Sequence, residues 1–324
     1  MRFTPQEKME IIRIVEGSEL GVNRTLKQLG IHKSTFYNWY QQYQENGYDG
    51  LSPRCRRHHP VWNRIPDEIR GKVIDLALDE PELSSRELAC RMTDISGYFI
   101  SESSVYRILK TADLITGPAM RLISAGDEFY DKTVRVNQMW QTDFTYLKVI
   151  GWGWYYLSTV LDDYSRYIIA WELCSTMTAT DANRTLEMAL NKTGLDKKRA
   201  PKLLSDNGSC YISGELQRFV EDNGIMHVRG APCHPQTQGK IERYHRTMKN
   251  VIKLDNYYSP GELEHAIGRF VEYYNSLRYH ESLNNVTPED VFLGRSNQVL
   301  ERRKKIKEKT INQRRKNYLF QKLK

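Results

Sequence analysis

The sequence predicts an α/β domain on a mixed sheet, preceded by two all-α units, and three observations carry that prediction. Apolar residues recur at helical spacing through the first 115 positions, whereas residues 140–173 turn to runs rich in Val, Ile, Tyr, Trp and Thr. Those runs are divided by the turn formers Gly151-Trp152-Gly153 and Asp162-Asp163-Tyr164-Ser165. From Ala179 onward, helical and strand-like segments alternate. A chain of 324 residues, 40% hydrophobic and 27% charged, is long enough for two or three domains and too apolar for disorder.

Pro5 opens a first helix with Met9, Ile12 and Val15 on one face, Leu26 and Leu29 belong to a second, and Gly30 breaks the chain. Ser34 is the expected cap of a third helix, in which Phe36, Trp39, Tyr40 and Tyr43 recur at i, i+3, i+4 and i+7 as an inward aromatic stripe. The opposite face carries Lys33, Thr35, Asn38, Gln41 and Gln42, donors for phosphates and, for Asn and Gln, partners for adenine edges in a major groove. A short helix, a glycine turn and a polar-faced helix form a helix-turn-helix pattern over residues 1–51, although a three-helix bundle that binds nothing has the same pattern.

Residues 52–65, with Pro53, Pro60, Arg54, Arg56 and Arg57 and no apolar period, read as an extended basic linker able to run along DNA or between domains. A second helix-turn-helix unit is expected over 66–115. Pro66 starts a helix with Ile69, Val73, Leu76 and Ala77 on one face, Ser84 and Glu87 offer a capping box ahead of Leu88 and Met92, and Ser101 begins a helix with Val105, Ile108 and Leu109. Its expected reading face is Ser103, Ser104, Arg107 and Lys110, the alternative being a structural or protein-contact role. The two units share a pattern and not a sequence, so they are no internal repeat. Residues 116–136 form a further linker.

Three antiparallel strands are expected at 140–150, 154–161 and 166–173. Helices follow at 179–190, 214–221, 238–252 and 262–274, with strands at 201–205 and 225–228 between them. Three antiparallel strands and then alternating α/β describe a mixed sheet of the ribonuclease H type over 137–292.

Charge is placed unevenly. The formal +8, from 48 basic and 40 acidic residues, resolves into 0 for 1–51, +4 for 52–72, −5 for 73–132, 0 for 133–297 and +9 for 298–324. The excess therefore lies in the linker and in a basic C-terminal tail, 293–324. That tail contains Arg302, Arg303, Lys304, Lys305, Arg314, Arg315 and Lys316 and is expected to act as a separable electrostatic arm. No run of 18 apolar residues exists to span a bilayer. Glu7, Lys8 and Glu10 interrupt the N-terminus before an apolar signal region forms. The five cysteines (Cys55, Cys90, Cys174, Cys210 and Cys233) include no C-x-x-C pair, which fits a reducing cytoplasm.

Two-metal phosphoryl transfer uses about three carboxylates converging on one point, because each Mg²⁺ takes few protein ligands and leaves positions for water and phosphate oxygens. Asp143 follows Trp140-Gln141-Thr142 in the first strand, and Asp206 ends the run Lys202-Leu203-Leu204-Ser205 just before Asn207-Gly208, a strand-to-loop exit. Glu242 lies on the 238–252 helix, where Ile241, Tyr244, Met248 and Val251 are expected as the apolar stripe and Glu242, His245, Arg246 and Lys249 as the other face. One helix thus offers a carboxylate and phosphate-binding groups together. Forty acidic residues supply many such triplets by chance, so the context decides: 36 positions separate Asp206 from Glu242, and Pro232-Cys233-His234-Pro235-Gln236-Thr237-Gln238-Gly239-Lys240-Ile241-Glu242-Arg243 introduces the helix.

With those residues in place the chain resembles the D, D, E recombinases that share the retroviral integrase catalytic domain, most closely bacterial insertion-sequence transposases. The resemblance covers about 137–292, including Tyr274-Asn275 and Thr287-Pro288-Glu289, and the two helical units fit the same transposases. It implies a ribonuclease H-like catalytic core in which Asp143, Asp206 and Glu242 are the catalytic ligands of two Mg²⁺ ions, with Mn²⁺ as a substitute, and Lys249 lies against terminal DNA. The chain departs from retroviral integrases at His58-His59, which has no C-x-x-C partner, so no zinc module is expected and end recognition falls to the helical units. Asp162 and Asp163 are read as hairpin-turn residues and not as metal ligands. His245 fits a proton-transfer role, a phosphate contact or a plain surface position, and Gly239 fits close approach of DNA or an unstrained helix start.

The expected function is that of a DNA transposase, a DDE-type polynucleotidyl transferase. It binds terminal inverted repeats, cuts at the element ends and joins the 3′-hydroxyl to target DNA, as a homodimer or larger assembly on double-stranded DNA in a bacterial cytoplasm, associated with the nucleoid. Its expected DNA contacts are Lys33, Thr35, Asn38, Gln41, Arg54, Arg56, Arg57, Arg107, His245, Arg246 and Lys249. Two rivals are a catalytically silent DNA-binding regulator, against which the presence of all three carboxylates argues, and a ribonuclease H-type nuclease that only hydrolyses, which a joined product would exclude.

Overall fold

Residues 3–52, 61–115, 133–229 and 239–322 are described by the computed structural model, and they divide into two units, Met1–Val61 and Trp62–Lys324. In the first unit, α1 (Pro5–Glu16) starts at a Thr4–Glu7 capping box, and α2 (Val22–Gln28) and α3 (Lys33–Asn46) follow. Gly30, at φ +68°, makes the turn between the last two. Ile11, Ile12, Val15, Leu26, Ile31, Phe36 and Leu51 form the core. Ser34 is not the cap of α3: the helix is already running at Lys33, and the Ser34 hydroxyl lies 2.9 Å from Nδ1 of His32, the residue at the cap position. Of the aromatic stripe only Phe36 is fully buried, with Trp39, Tyr40 and Tyr43 packed against the core at its margin.

The second unit begins with α4 (Asp67–Asp79), α5 (Ser85–Ser96) and α6 (Glu102–Thr111), packed around Val73, Leu88, Met92, Ile100, Val105 and Leu109. The Ser84–Glu87 capping box forms where the sequence places it, and α6 begins directly after Ser101.

Strands β1 (Met139–Val149), β2 (Gly153–Asp162), β3 (Ile168–Cys174), β4 (Lys202–Ser205) and β5 (Met226–Arg229) build one five-stranded sheet in the order β3-β2-β1-β4-β5. The first three are antiparallel, while β4 and β5 run parallel to β1. Three helices, α7 (Ala179–Thr193), α8 (Ser209–Ile212) and α9 (Gly214–Asp222), cover one face, enclosing Trp140, Val160, Leu186, Leu203 and Leu216. The other face is covered by α10 (Gly239–Ile252) and α11 (Pro260–Ser276), which enclose Leu147, Leu157, Ile241, Tyr244, Met248 and Phe270. This is the mixed α/β architecture the sequence predicts. Asn275, at the end of α11, bonds both the N–H and the C=O of Ile168 through its buried amide and so ties α11 to β3. Thr287 caps the short α12 (Pro288–Phe292).

The basic tail departs from the expected separable arm. It forms α13 (Ser296–Lys322), a 27-residue helix docked on α5 and on the turn before α6. Arg303 forks onto Asp94 at 2.8 and 2.6 Å and donates to the Asn285 carbonyl at 2.7 Å. Arg314 donates to the Tyr98 hydroxyl, the Asn63 side chain and the Phe99 carbonyl at 2.7–2.8 Å, and Thr310 accepts from Phe99 N–H. Arg303 and Arg314 thus serve as internal fasteners, and Arg302 adds a bond to the Asp94 carbonyl at 3.2 Å. Arg302, Lys304, Lys305, Arg315 and Lys316 remain exposed.

Candidate active site

The site lies where the sheet opens. β4 pairs with β1 only over Met139–Gln141, so Asp143 stands two residues past the last pair, and Asp206 follows the final residue of β4. Two adjacent parallel strands therefore deliver one carboxylate each to the crevice beyond their common pairing, the place where α/β sheets bind ligands. Asp143 Oδ1 accepts from Phe144 N–H at 2.8 Å and Oδ2 lies 3.3 Å from His245 Nδ1. Asp206 Oδ1 accepts from Gly208 N–H at 2.9 Å, and a Cβ at position 208 would meet that same oxygen at 2.9 Å. Glycine is therefore what permits this turn.

Tyr211 shows that both aspartates border one space. Its hydroxyl is fully enclosed and 3.3 Å from Thr142 Oγ1. Burial holds its proton far more tightly than an ordinary tyrosine, and the charges of Asp143 and Asp206 add to that effect. The Cys210 thiol is pushed up to about 11 by burial first and by the same carboxylates after it.

Glu242 sits in the first turn of α10 and is exposed. It is three residues before His245, and residues at that spacing are neighbours on a helix surface, so it lies one turn from the side chain that touches Asp143. Among the described residues, however, no three carboxylate, imidazole or thiol groups are gathered closely enough to hold a metal ion. Asp143 and Asp206 leave adjacent parallel strands, and Glu242 lies on α10 one turn before His245. The donors are carboxylate oxygens, which suit a hard divalent cation such as Mg²⁺.

His245 corrects the expected face of α10. The helix buries Ile241, Tyr244, His245, Met248 and Ile252, whereas Val251 is on the exposed side. The apolar stripe is wide enough to take in position i+4 from Ile241, so His245 is enclosed between Asp143 and Thr159, its Nε2 3.4 Å from the threonine hydroxyl. It faces a carboxylate and not solvent or a phosphate. Arg246 stays exposed, while Lys249 reaches back so that its Nζ lies 4.4 Å from the centre of the Tyr146 ring. Burial lowers the proton affinity of Lys249 and Lys253 lowers it further, while Asp143 acts in the opposite direction.

A polar network fixes the start of α10, and the motif reading missed it. Gln141 accepts from Ile241 N–H at 3.0 Å, one of the helix-end donors that has no intrahelical partner, and donates to Asp163 Oδ1 at 2.7 Å. Lys240 Nζ binds Asp163 Oδ2 at 2.6 Å and its carbonyl at 2.9 Å. The signal was present: Gln141 is a polar residue in an enclosed strand between Trp140 and Thr142, and a buried amide requires partners. Asp162 accepts from Ser165 and from Asn137 N–H, in keeping with a turn role for the Asp162-Asp163 pair.

In the first unit Lys33, Asn38 and Gln41 are exposed on α3, with Gln41 donating to Glu45 at 2.9 Å, and Thr35 is half-buried. Arg107 on α6 is exposed but folds back onto the Ser103 carbonyl and the Ser104 hydroxyl. Arg54, Arg56 and Arg57 lie outside the described residues.

Residues 133–235 and 223–288 match two Integrase core domain families, and residues 4–52 and 35–109 match two Homeodomain-like domain families. The chain is 25% identical over 300 residues to the transposase for transposon Tn552 of Staphylococcus aureus, covering 84% of this chain and 62% of that protein. It is 25% identical over 287 residues to the transposase for insertion sequence element IS629 of Shigella sonnei, covering 83% and 90%. To the putative transposase InsK for IS150 of Escherichia coli it is 29% identical over 158 residues, covering 48% and 55%. The chain thus spans less than two thirds of two of these three relatives. Among solved structures, the magnesium-bound HTLV-2 integrase catalytic core domain aligns at 23% identity with a TM-score of 0.40, over 49% of this chain and 98% of that one. The chain thus carries an integrase core domain behind homeodomain-like helical units and is homologous, at moderate identity, to insertion-sequence transposases.

Proposed function

We propose that the protein is a DNA transposase that binds the terminal repeats of its element, cuts at their ends and joins the freed 3′-hydroxyl to target DNA. The observation that carries this reading is the delivery of Asp143 and Asp206 to one crevice by adjacent parallel strands, with Glu242 one helical turn from the histidine that touches Asp143. Asp143, Asp206 and Glu242 would hold Mg²⁺, or Mn²⁺ in its place, which supplies Lewis-acid polarisation of the scissile phosphate and the attacking oxygen.

Each displacement runs in line. In the first, a water oxygen bonds to phosphorus as the 3′-oxygen leaves and takes a proton. In the second, that 3′-hydroxyl attacks a target phosphodiester and a second 3′-oxygen leaves, so no covalent protein intermediate is needed. His245 holds Asp143 in place from behind, while Arg246 and Lys249 on the same helix neutralise backbone phosphates. Lys33, Asn38 and Gln41 on α3 face outward for a major groove, and Arg107 on α6 is available for a second contact. Residues 1–51 and 66–115 serve as the DNA-reading units, joined to the 137–292 core by the segments 52–65 and 116–136. A homodimer or larger assembly places one active site on each of two element ends. The DNA it acts on lies in the bacterial cytoplasm, and among the described residues no helix is long and apolar enough to cross a membrane.

The test is incubation with Mg²⁺ and DNA carrying the ends that flank the gene. Wild-type protein is expected to give cleaved and joined products, and Asp206→Asn to lose both while binding the same DNA as before. A variant that joined ends at the normal rate would sink the ligand assignment. Cleavage without joining in the wild type would make the protein a hydrolytic nuclease.

A further inference from the structure

We propose that the outward face of the β1–β2 hairpin is a stacking platform for unpaired bases at a DNA strand end. Tyr146, Trp154 and Trp152 provide the ring faces, and Lys249 provides the phosphate contact. The inference deepens the reading above, since it names which part of the DNA this surface takes.

Beyond Gln141, β1 runs on to Val149 with no partner strand on its β4 side among the described residues. Over that stretch Thr145, Leu147 and Val149 point into the core and Tyr146 and Lys148 point out. Lys148 stands opposite Trp154 across the hairpin and Tyr146 opposite Tyr156, so Tyr146, Lys148 and Trp154 share one face. Tyr146 and Trp154 meet edge to face at 5.4 Å between ring centres. A cross-strand aromatic pair by itself stabilises a hairpin, and that role needs only the ring edges. More than half of each side chain is nevertheless open, 55% for Tyr146 and 54% for Trp154, and Trp152 in the turn is 63% exposed. Tyr146 and Trp154 left open in mutual contact, with Trp152 open in the adjoining turn, form the kind of patch that marks an interaction surface.

The surroundings select the occupant. Lys249 lies on the Tyr146 ring, Lys148 stands opposite Trp154 on the same face, and Lys253 is close enough to Lys249 to weaken its hold on a proton. Flat ring faces interleaved with cations are what a single strand requires, because its bases have free π-faces to stack and its phosphates need neutralising. Paired bases in a duplex offer no such faces. The patch is also correctly placed: Lys249 is seven residues past Glu242 on α10, roughly 10 Å along the helix axis. A strand whose phosphate rests on Lys249 thus has its bases over Tyr146 and Trp154 while its end approaches the carboxylates.

The experiment compares three probes by fluorescence anisotropy: a blunt duplex, the same duplex with an oligothymidine extension, and oligothymidine alone. Wild-type protein is expected to bind the extended duplex about tenfold more tightly than the blunt one. The double variant Tyr146→Ala/Trp154→Ala should lose that preference and bind the blunt duplex as before, whereas Trp154→Phe, which keeps a ring, should retain most of it. Iodouracil in the extension should photocrosslink to Tyr146, Trp152 or Trp154. Equal wild-type affinity for blunt and extended duplexes would overturn the proposal and leave the transposase reading standing, whereas no binding to any probe would overturn both. A double variant that changes the sedimentation coefficient with its DNA preference intact would assign the face to a second copy of the chain instead.

Discussion

At the scale of single residues, the site depends on small groups that hold the carboxylates. Gly208 leaves room for Asp206 Oδ1 and gives it a backbone N–H. Gly208→Ala should therefore displace the carboxylate and lower strand joining by at least tenfold with a melting temperature within a few degrees of wild type, because the turn is exposed. His280 governs a different property. Its ring is enclosed beside Tyr274 and faces Arg166, Arg243 and Arg278, and burial first and these cations after it bring its pKa down to about 3 from 6.5. The unfolded chain takes up this proton below pH 6.5 and the folded chain only near 3, so stability falls as pH drops through that window. Urea midpoints measured at pH 7 and pH 5 should differ less for His280→Gln than for the wild type.

At the scale of elements, α10 is a helix whose first turn is held from outside. Its opening N–H bonds to Gln141 on β1, and its Lys240 binds Asp163 in the β2–β3 turn, so the helix carrying Glu242 is registered against both strands of the hairpin that carries Asp143. Gln141→Leu leaves the Ile241 N–H and one Asp163 oxygen unpaired in an enclosed place, a loss of about 1–3 kcal/mol. Chemical denaturation should show that loss, and the Mg²⁺ concentration for half-maximal joining should rise. An unchanged Mg²⁺ requirement would mean that the network holds the fold and not the carboxylate. The pattern of β1 identified Asp143 as a strand residue without any knowledge of these partners. It could not identify His245, because whether a helix position is enclosed depends on the width of the opposing surface and not on the helix alone.

At the scale of the whole second unit, α13 turns a basic tail into a brace. Arg303 joins Asp94 of α5 to the Asn285 carbonyl, Tyr279 donates to the same Asp94 at 2.7 Å, and Arg86 pairs with Glu281, so the helices of 67–111 are fastened to the catalytic core at several points. Arg303→Ala should cost about 1.5–3 kcal/mol, the scale of hydrogen bonds to a charged group, and calorimetry should register it as a lower melting temperature. The exposed cations can be tested apart from the brace. Lys304→Gln/Lys305→Gln/Lys316→Gln should keep the melting temperature and flatten the salt dependence of DNA binding, by roughly 0.9 in the log–log slope for each phosphate no longer neutralised. An unchanged slope would remove α13 from the DNA-binding surface.

The order and kind of the five strands and of the longer helices through α11, the capping box at Ser84, and the placing of Asp143 in a strand and Asp206 at a strand exit follow from the sequence alone, because periodicity, capping and turn chemistry act over a few neighbouring residues. Tertiary structure decided the enclosure of His245, the anchoring of α10 by Gln141 and the docking of a helix with hardly any apolar stripe through Arg303, Thr310 and Arg314. These depend on which surfaces meet across long stretches of chain. A polar side chain carries no local mark that distinguishes a solvated position from one whose partners lie a hundred or two hundred residues away.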